Sequence, residues 1–331
     1  MRIVFDAMGG DHAPSAVVEG CRAAAHEWPD TEVVLLGREE VVRPRIAATD
    51  PPNLLFQHVS EWIEAEEEPT KAVRRKKDSS IVVGCRMVRE GKADAFISAG
   101  NTGALMVAGT LVTGRLPGID RPALAPIFPT VSGRGTLVLD VGANPDARAE
   151  HLAQYGLMGS IYAQQVLGFE NPRVGLLNIG SESGKGSERV REAYKMLEQM
   201  PLNFVGNVEA RDVLSDACDV LVCDGFSGNV LLKNTEGVAM TIFDRLKKEF
   251  TRSFIHKLAA AVLAPGLRRF VAELDYTEHG GAPLLGLNGP IIKAHGSSDQ
   301  KAIKNAIRQA RLFIEQGVLK SIQQALHTRE G

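Results

Sequence analysis

The chain has 331 residues, 44% of them hydrophobic, 24% charged and 5% aromatic, with a net charge of −2. That length buries a large core in one domain or two, and the balanced charge and few aromatics exclude a general affinity for nucleic acid or a base-stacking surface. No CxxC joins the four cysteines, Asp6 interrupts any signal-peptide core, and no apolar run reaches the ~18 residues of a membrane span, so a cytoplasmic protein with free thiols, at most peripheral to a membrane, is expected.

The first apolar run, 2–6, ends in DAMGGDHAP (6–14) and enters a helical pattern over 14–27. Strands are predicted at 32–37 and 53–58. Acidic EAEEEP (64–69) then gives way to basic KAVRRKK (71–77), and Pro69 and Thr70 open a helix predicted over 70–91. Arg74, Arg75, Lys76 and Lys77 read as a solvated helix face, as a docking patch for an acidic protein or as a contact to bound phosphate. Strand 94–98 runs into SAGNTGA (98–104), where Asn101 and Thr102 are the useful polar groups, and into helix 101–113. Strands 123–128 and 136–140 precede LDVGAN (139–144), with Asp140 and Asn144, and helix 147–168.

Strand 173–178 leads to GSESGKGS (180–187), which carries Ser181 and Lys185, and to helix 186–200. Strands at 203–206 and 219–223 precede DGFSGNVLLK (224–233), with Asp224, Ser227 and Asn229 on one turn, and a helix over 230–262. Segment 251–271 reads as a helical hairpin with an apolar tip, Leu258 to Ala264 with Val262 and Leu263 in it, and basic shoulders Arg252, Lys257, Arg268 and Arg269. Its plain reading is packing on the core or a partner subunit; its sharper reading is contact with an anionic membrane or an acidic partner. Strand 290–294 ends in HGSSD (295–299) with His295, and helix 298–327 closes the chain.

Short apolar strands alternating with helices predict a three-layer α/β/α fold on a mostly parallel central sheet. The expected organisation is a single large α/β domain over 1–331, with a helical hairpin protruding near 235–275. Six junctions, at 3–14, 95–105, 137–144, 174–188, 220–233 and 291–299, place a polar, glycine-rich loop after a strand. In an open α/β sheet the carboxyl ends of the strands face one crevice, so the six loops are expected to line one site. Their amides and small hydroxyls suit a small anion such as phosphate.

Several familiar motifs are absent from the sequence. GSESGKGS resembles a P-loop but fails its spacing, since only three residues separate Gly180 from Gly184 and Gly follows Lys185. No GxGxxG, GxSxG, HxH or HExxH occurs, so no dinucleotide cofactor, covalent intermediate or metal is expected. The loop residues singled out also have structural readings as turn and helix-cap groups.

The succession DAMGGDHAP, RRKKDSS (74–80), SAGNTGA, LDVGAN, NIGSESGKG (178–186), CDGFSGNV (223–230) and HGSSD resembles the bacterial fatty acyl-carrier-protein:phosphate acyltransferase family of phospholipid synthesis, from residue 1 to about 326. The resemblance implies an isocitrate/isopropylmalate dehydrogenase-like fold without its cofactor, a homodimer, and transfer of a long-chain acyl group from acyl carrier protein to inorganic phosphate. It also implies peripheral contact with the inner membrane surface or with the downstream glycerol-3-phosphate acyltransferase. The chemistry suits the residues: phosphate is already a nucleophile and a thiolate already leaves, so positioning and oxyanion stabilisation remain.

On that reading Lys185 carries the phosphate and oxyanion charge, and Asn229 hydrogen-bonds the reacting carbonyl or phosphate. Asn101, Thr102, Asn144, Ser181, Asp224, Ser227 and His295 shape the substrate pocket. Arg74, Arg75, Lys76, Lys77, Lys257, Leu258, Val262, Leu263 and Arg268 meet the carrier protein or a membrane. The alternatives are a phosphotransacetylase-like enzyme using acyl-coenzyme A and a non-catalytic acyl or phosphate sensor.

Overall fold

A computed structural model describes residues 1–273 and 280–330; the side chains of residues 258, 265, 267–273 and 328–330 lie outside that description. The first part of the chain forms β1 (Arg2–Asp6), α1 (Ser15–Glu27), β2 (Glu32–Gly37), α2 (Glu39–Val42), β3 (Leu54–His58), α3 (Pro69–Arg75), α4 (Ser80–Arg89), β4 (Ala95–Ser98) and α5 (Thr102–Ala108). Next come β5 (Ala123–Leu124), β6 (Ile127–Phe128), β7 (Thr136–Leu139), α6 (Ala149–Gln165), β8 (Arg173–Asn178), α7 (Glu188–Glu198), β9 (Asn203–Glu209) and β10 (Val220–Val222). Two long helices, α8 (Gly225–Thr251) and α9 (Phe254–Glu273), precede β11 (Ala282–Leu285), β12 (Ile291–Lys293), α10 (Gln300–Glu315) and α11 (Val318–Glu330).

The strands order as β3-β2-β1-β4-β12-β11-β5 and β6-β7-β10-β8-β9. The two sets join through the straight segment 123–128. On one side Ala125 N donates to Pro283 O of β11 at 3.0 Å; on the other, Val138 N of β7 donates to Pro126 O at 2.9 Å. Both faces of the sheet are covered, so neighbouring residues of one strand enter different cores. Ile3 and Phe5 join the cluster under α1 and α10, whereas Val4 joins the opposite one. Likewise Val220 and Val222 pack with α6, and Leu221 points the other way. Apolar residues on both faces explain why the strands read as runs rather than alternations.

Direction along the sheet carries the main consequence for function. β1, β2, β3, β4 and β12 run parallel, and so do β7, β8, β9 and β10. Between these groups β11 is antiparallel to both β12 and β5, and β6 is antiparallel to β7. The two reversals on either side of β11 leave β5 and β6 aligned with β12; the third, at β7, sets the second group opposite to the first. The six loops therefore do not share one sheet edge: three lie at the carboxyl ends of β1, β4 and β12, three at those of β7, β8 and β10.

Three helices predicted as continuous are broken, that over 298–327 at Gly317 (φ 64), between α10 and α11. The 70–91 helix stops at Arg75, where Ser79 Oγ donates to Lys76 O and Asp78 turns back to bind Ser60 N at 2.8 Å, before α4 starts. The 230–262 helix is α8 and α9, which pack against each other. Among the described residues from Asn229 to Ala264 none is buried.

Candidate functional site

Three turns meet at the edge formed by β7, β10 and β8. Leu139, Val222 and Leu176 are in register across those strands, so the loops that follow are neighbours. Asp140 anchors the first loop: its buried carboxylate accepts from Leu124 N at 2.9 Å, Ala143 N at 3.0 Å and Asn144 N at 2.6 Å. Burial pushes its pKa up against those bonds. The Asn144 side chain donates to Pro122 O at 2.6 Å and Tyr155 Oη at 2.9 Å, which braces the loop from behind.

The second turn opens α8. Asp224 caps it, accepting from Ser227 N at 2.8 Å and Ser227 Oγ at 3.0 Å. Helix and first loop approach so closely that only glycine fits between them: a Cβ on Gly228 would lie 1.9 Å from Asp140 O. This contact sets Asn229, which is exposed, beside Gly142.

The third turn follows β8. Asn178 Nδ2 donates to Lys185 O at 3.1 Å, Asn207 Nδ2 to Glu182 O at 2.8 Å and Arg191 Nη1 to Gly186 O at 2.7 Å. Gly186 takes φ +87, where a Cβ would lie 2.5 Å from Asn178 Oδ1. With its carbonyls pinned, the loop exposes Ser181 and Lys185. The Lys185 ammonium stands 3.9 Å from Glu182. Arg189, at the start of α7, stands 3.8 Å from Asp224 and ties this turn to the second. Segments 180–186 and 227–229 thus follow the neighbouring strands β8 and β10. Lys185 and Arg189, which face Glu182 and Asp224, and the amino end of α8 supply cationic and N–H groups that suit an anion.

Asn101, Thr102 and His295 sit at the other edge. Asn101 caps α5 through Ala104 N at 2.9 Å, and its Nδ2 donates to the carbonyls of Glu64, Ala65 and Glu67 at 3.1, 2.9 and 3.0 Å. Its bonds go to the protein itself, where they hold the loop that precedes α3; Thr102 is exposed. His295 Nδ1 accepts from Ser297 N at 3.2 Å, which places the ring proton on Nε2, 4.0 Å from Glu236 Oε1 of α8. Burial lowers the His295 pKa against the pull of Glu236. Sequence reasoning missed the neighbouring Lys293. It is the last residue of β12, and its Nζ donates to Ala99 O at 3.2 Å and to Ala294 O. Burial pushes its pKa down to about 8, opposed by Asp6 and Asp11, with Lys233 of α8 adding to the fall. Its sequence signal is a lysine that directly follows two core isoleucines.

One face of α8 connects the edges: Asn229, Lys233 and Glu236 recur at helical spacing, the first beside Gly142 and the last beside His295.

The basic run divides. Arg74, Arg75 and Lys77 are exposed, while Lys76 donates to Trp62 O at 2.8 Å and pairs with Glu67 at 2.5 Å. Lys257 is exposed, as are Val262 at 81% and Leu263 at 54%; the side chains of Leu258 and Arg268 lie outside the described residues. Burial raises the thiols of Cys85 and Cys218 to about 12, which removes them as nucleophiles. Among the described residues no three His, Cys, Asp or Glu side chains gather as a metal site, and no helix is long and apolar enough to cross a membrane.

Comparison with known proteins adds sequence and fold relatives. The fatty acid synthesis protein family matches residues 1–321. A phosphate acyltransferase of Brevibacillus brevis is 58% identical over 326 residues, 98% of this chain and 97% of that protein. One from Bacillus licheniformis is 52% identical over 329 residues, covering 99% of each chain. Among solved structures, a phosphotransacetylase from Streptococcus pyogenes superposes with a TM-score of 0.63 at 18% identity, covering 95% of this chain and 94% of that one. A branched-chain phosphotransacylase from Enterococcus faecalis gives 0.55 at 15% identity, over 94% and 98%. At such identities these two likenesses concern the fold alone.

Proposed function

Because this chain belongs to the fatty acid synthesis protein family and is an acyltransferase, we propose that it moves a long-chain fatty acyl group from the thioester of acyl carrier protein to inorganic phosphate. The products are an acyl phosphate, which feeds phospholipid synthesis, and the free carrier protein. The observation that carries this reading is the pairing of the Lys185 turn with the capped amino end of α8 that bears Asn229.

A phosphate oxygen attacks the thioester carbonyl, the C–S bond breaks as the new C–O bond forms, and the proton brought by hydrogen phosphate ends on the thiol. Lys185 neutralises charge on the phosphate and the developing oxyanion, and Asn229 donates to the oxygen whose charge grows. No group with a strongly shifted pKa is needed at this corner, since preorganised donors supply the main effect, about 10²–10³ per donor.

An acidic carrier protein fits Arg74 and Arg75 at the end of α3, which packs on α5, and Lys77 just after it. Peripheral membrane contact fits the exposed Val262 and Leu263 with Lys257 beside them. The exposed apolar residues Val238, Ile242 and Leu246 of α8, four apart, suit a homodimer contact.

The test incubates the protein with palmitoyl-carrier protein and phosphate and traps acyl phosphate with hydroxylamine. Acyl hydroxamate that depends on phosphate supports the reading. Turnover with coenzyme A thioesters alone transfers the assignment to a phosphotransacetylase-like enzyme, and binding without any hydroxamate transfers it to a sensor.

A further inference from the structure

Exposed apolar side chains surround the Lys185–Asn229 corner, where a site for phosphate alone has no use for them. Ile179, the first residue of the Lys185 loop, is 81% exposed; Phe226 and Val230 of α8 are 67% and 54% exposed. At about 100° per residue, Phe226, Val230 and Gly237 fall within about 40° of one another around α8. Asn229, Lys233 and Glu236 form the adjacent stripe, turned by about 20–80° from Phe226. α8 therefore carries a polar rail and an apolar rail side by side, and both begin at the turn capped by Asp224. The apolar rail is open where Gly237 lies on it, with no atom within 4 Å of a Cβ built there.

An amphipathic ligand explains this juxtaposition. Its polar head occupies the amide-rich turns, and its hydrocarbon tail leaves across the nearest apolar surface. A second copy of the chain would cover the rail equally well, but it would not require the rail to start at Asn229. We propose that Ile179, Phe226 and Val230 form the acyl-chain surface of the site, with the tail running along α8 away from Asn229. This rests on the acyl transfer read above and extends it to chain length: the surface selects long chains by covering methylenes, each worth about fourfold in kcat/KM while it stays in contact.

The experiment compares butyryl and palmitoyl thioesters of carrier protein for the wild type, Phe226→Gln, Val230→Gln and Val230→Trp. All three substitutions lie at exposed positions, and thermal melting reports whether the fold is kept. The two Gln variants are expected to lose about 30-fold with palmitoyl and less than about threefold with butyryl, the difference being a few methylene contacts. Val230→Trp should move the preferred chain to a shorter one. Equal losses for both chain lengths, no loss for either, or a change in the mass of the particle in solution would overturn the proposal, the last assigning the rail to a protomer interface.

Binding of a cis-parinaroyl probe reads the same surface without turnover and should weaken about tenfold or more in Phe226→Gln; undiminished binding overturns it. The two readings fail separately. A wild type that makes no acyl phosphate from any thioester fails the acyl-transfer reading, whereas a wild type that turns over beside variants with an unchanged chain-length ratio fails only the surface.

Discussion

Gly228→Ala should damage stability and turnover together. The added methyl would sit 1.9 Å from Asp140 O and 2.9 Å from Cys223 Sγ, and Cβ atoms essentially never approach a neighbour within 3.0 Å. The near obstacle is backbone, buried in the loop that Asp140 braces with three amide bonds, so it cannot swing aside. α8 must therefore retreat by about 1 Å, and overpacking of this kind costs about 1–3 kcal/mol. The same retreat carries Asn229 away from Gly142, and a misplacement of about 1 Å in a site costs about 10² in rate. Urea denaturation should show a lower midpoint at unchanged slope, and the hydroxamate assay a rate lowered by about two orders of magnitude. Gly237→Ala on the same helix is the stability control. Nothing lies within 4 Å of it, so exchange for a better helix former should gain up to about 1 kcal/mol. Wild-type midpoint and rate in Gly228→Ala, or an equal loss of stability in Gly237→Ala, would refute the reasoning.

Lys185→Ala and Asn229→Ala should each lower turnover about a hundredfold while melting within about 0.5 kcal/mol of wild type, as both side chains are exposed; near-native rates would remove both from the site. Replacing Arg74, Arg75 and Lys77 by Glu should raise KM for carrier protein and flatten its dependence on ionic strength, measured between about 0.05 and 0.5 M salt. Arg22 Nε lies 2.6 Å from Asp50 Oδ1, and this bond holds the Asp50 carboxyl below the usual carboxylate range. The stability this supplies is present above the ordinary carboxylate pKa of about 4 and fades as pH falls through the lowered value. Arg22→Met should accordingly unfold at higher pH in an acid titration followed by circular dichroism. Lys293 titrates near 8 in the fold against 10.5 for an ordinary lysine. Between those values the unfolded chain holds more protons, so stability rises with pH across that window; Lys293→Met should lack this rise in denaturation series from pH 7.5 to 10, and an identical slope would show that Lys293 is not constrained as described.

Element order and the family were legible in the sequence because both depend on local signals. The strands predicted at 2–6, 32–37 and 173–178 match β1, β2 and β8 residue for residue, since runs of Val, Ile and Leu bounded by turn residues mark strands covered on both faces. Asp224, Ser187 and Asp299 announce the starts of their helices as side-chain caps. The ordered loop motifs were enough to suggest the family.

Tertiary structure alone decided how those loops are shared out. The reversal of strand direction rests on β11, which pairs with nearby β12 through Ala282 and Lys293 and with distant β5 through Leu284 and Leu124. β11 is a four-residue strand with a proline in it, too short and too irregular to show as a period. Without β11 the six junctions look equivalent, and a single crevice follows. With it, His295, Asn101 and Lys293 belong to one edge, Lys185 and Asn229 to the other, and α8 spans the two. Side-chain spacing reports which face of its own element a residue occupies, whereas which way the next strand runs depends on pairing partners that no local pattern encodes.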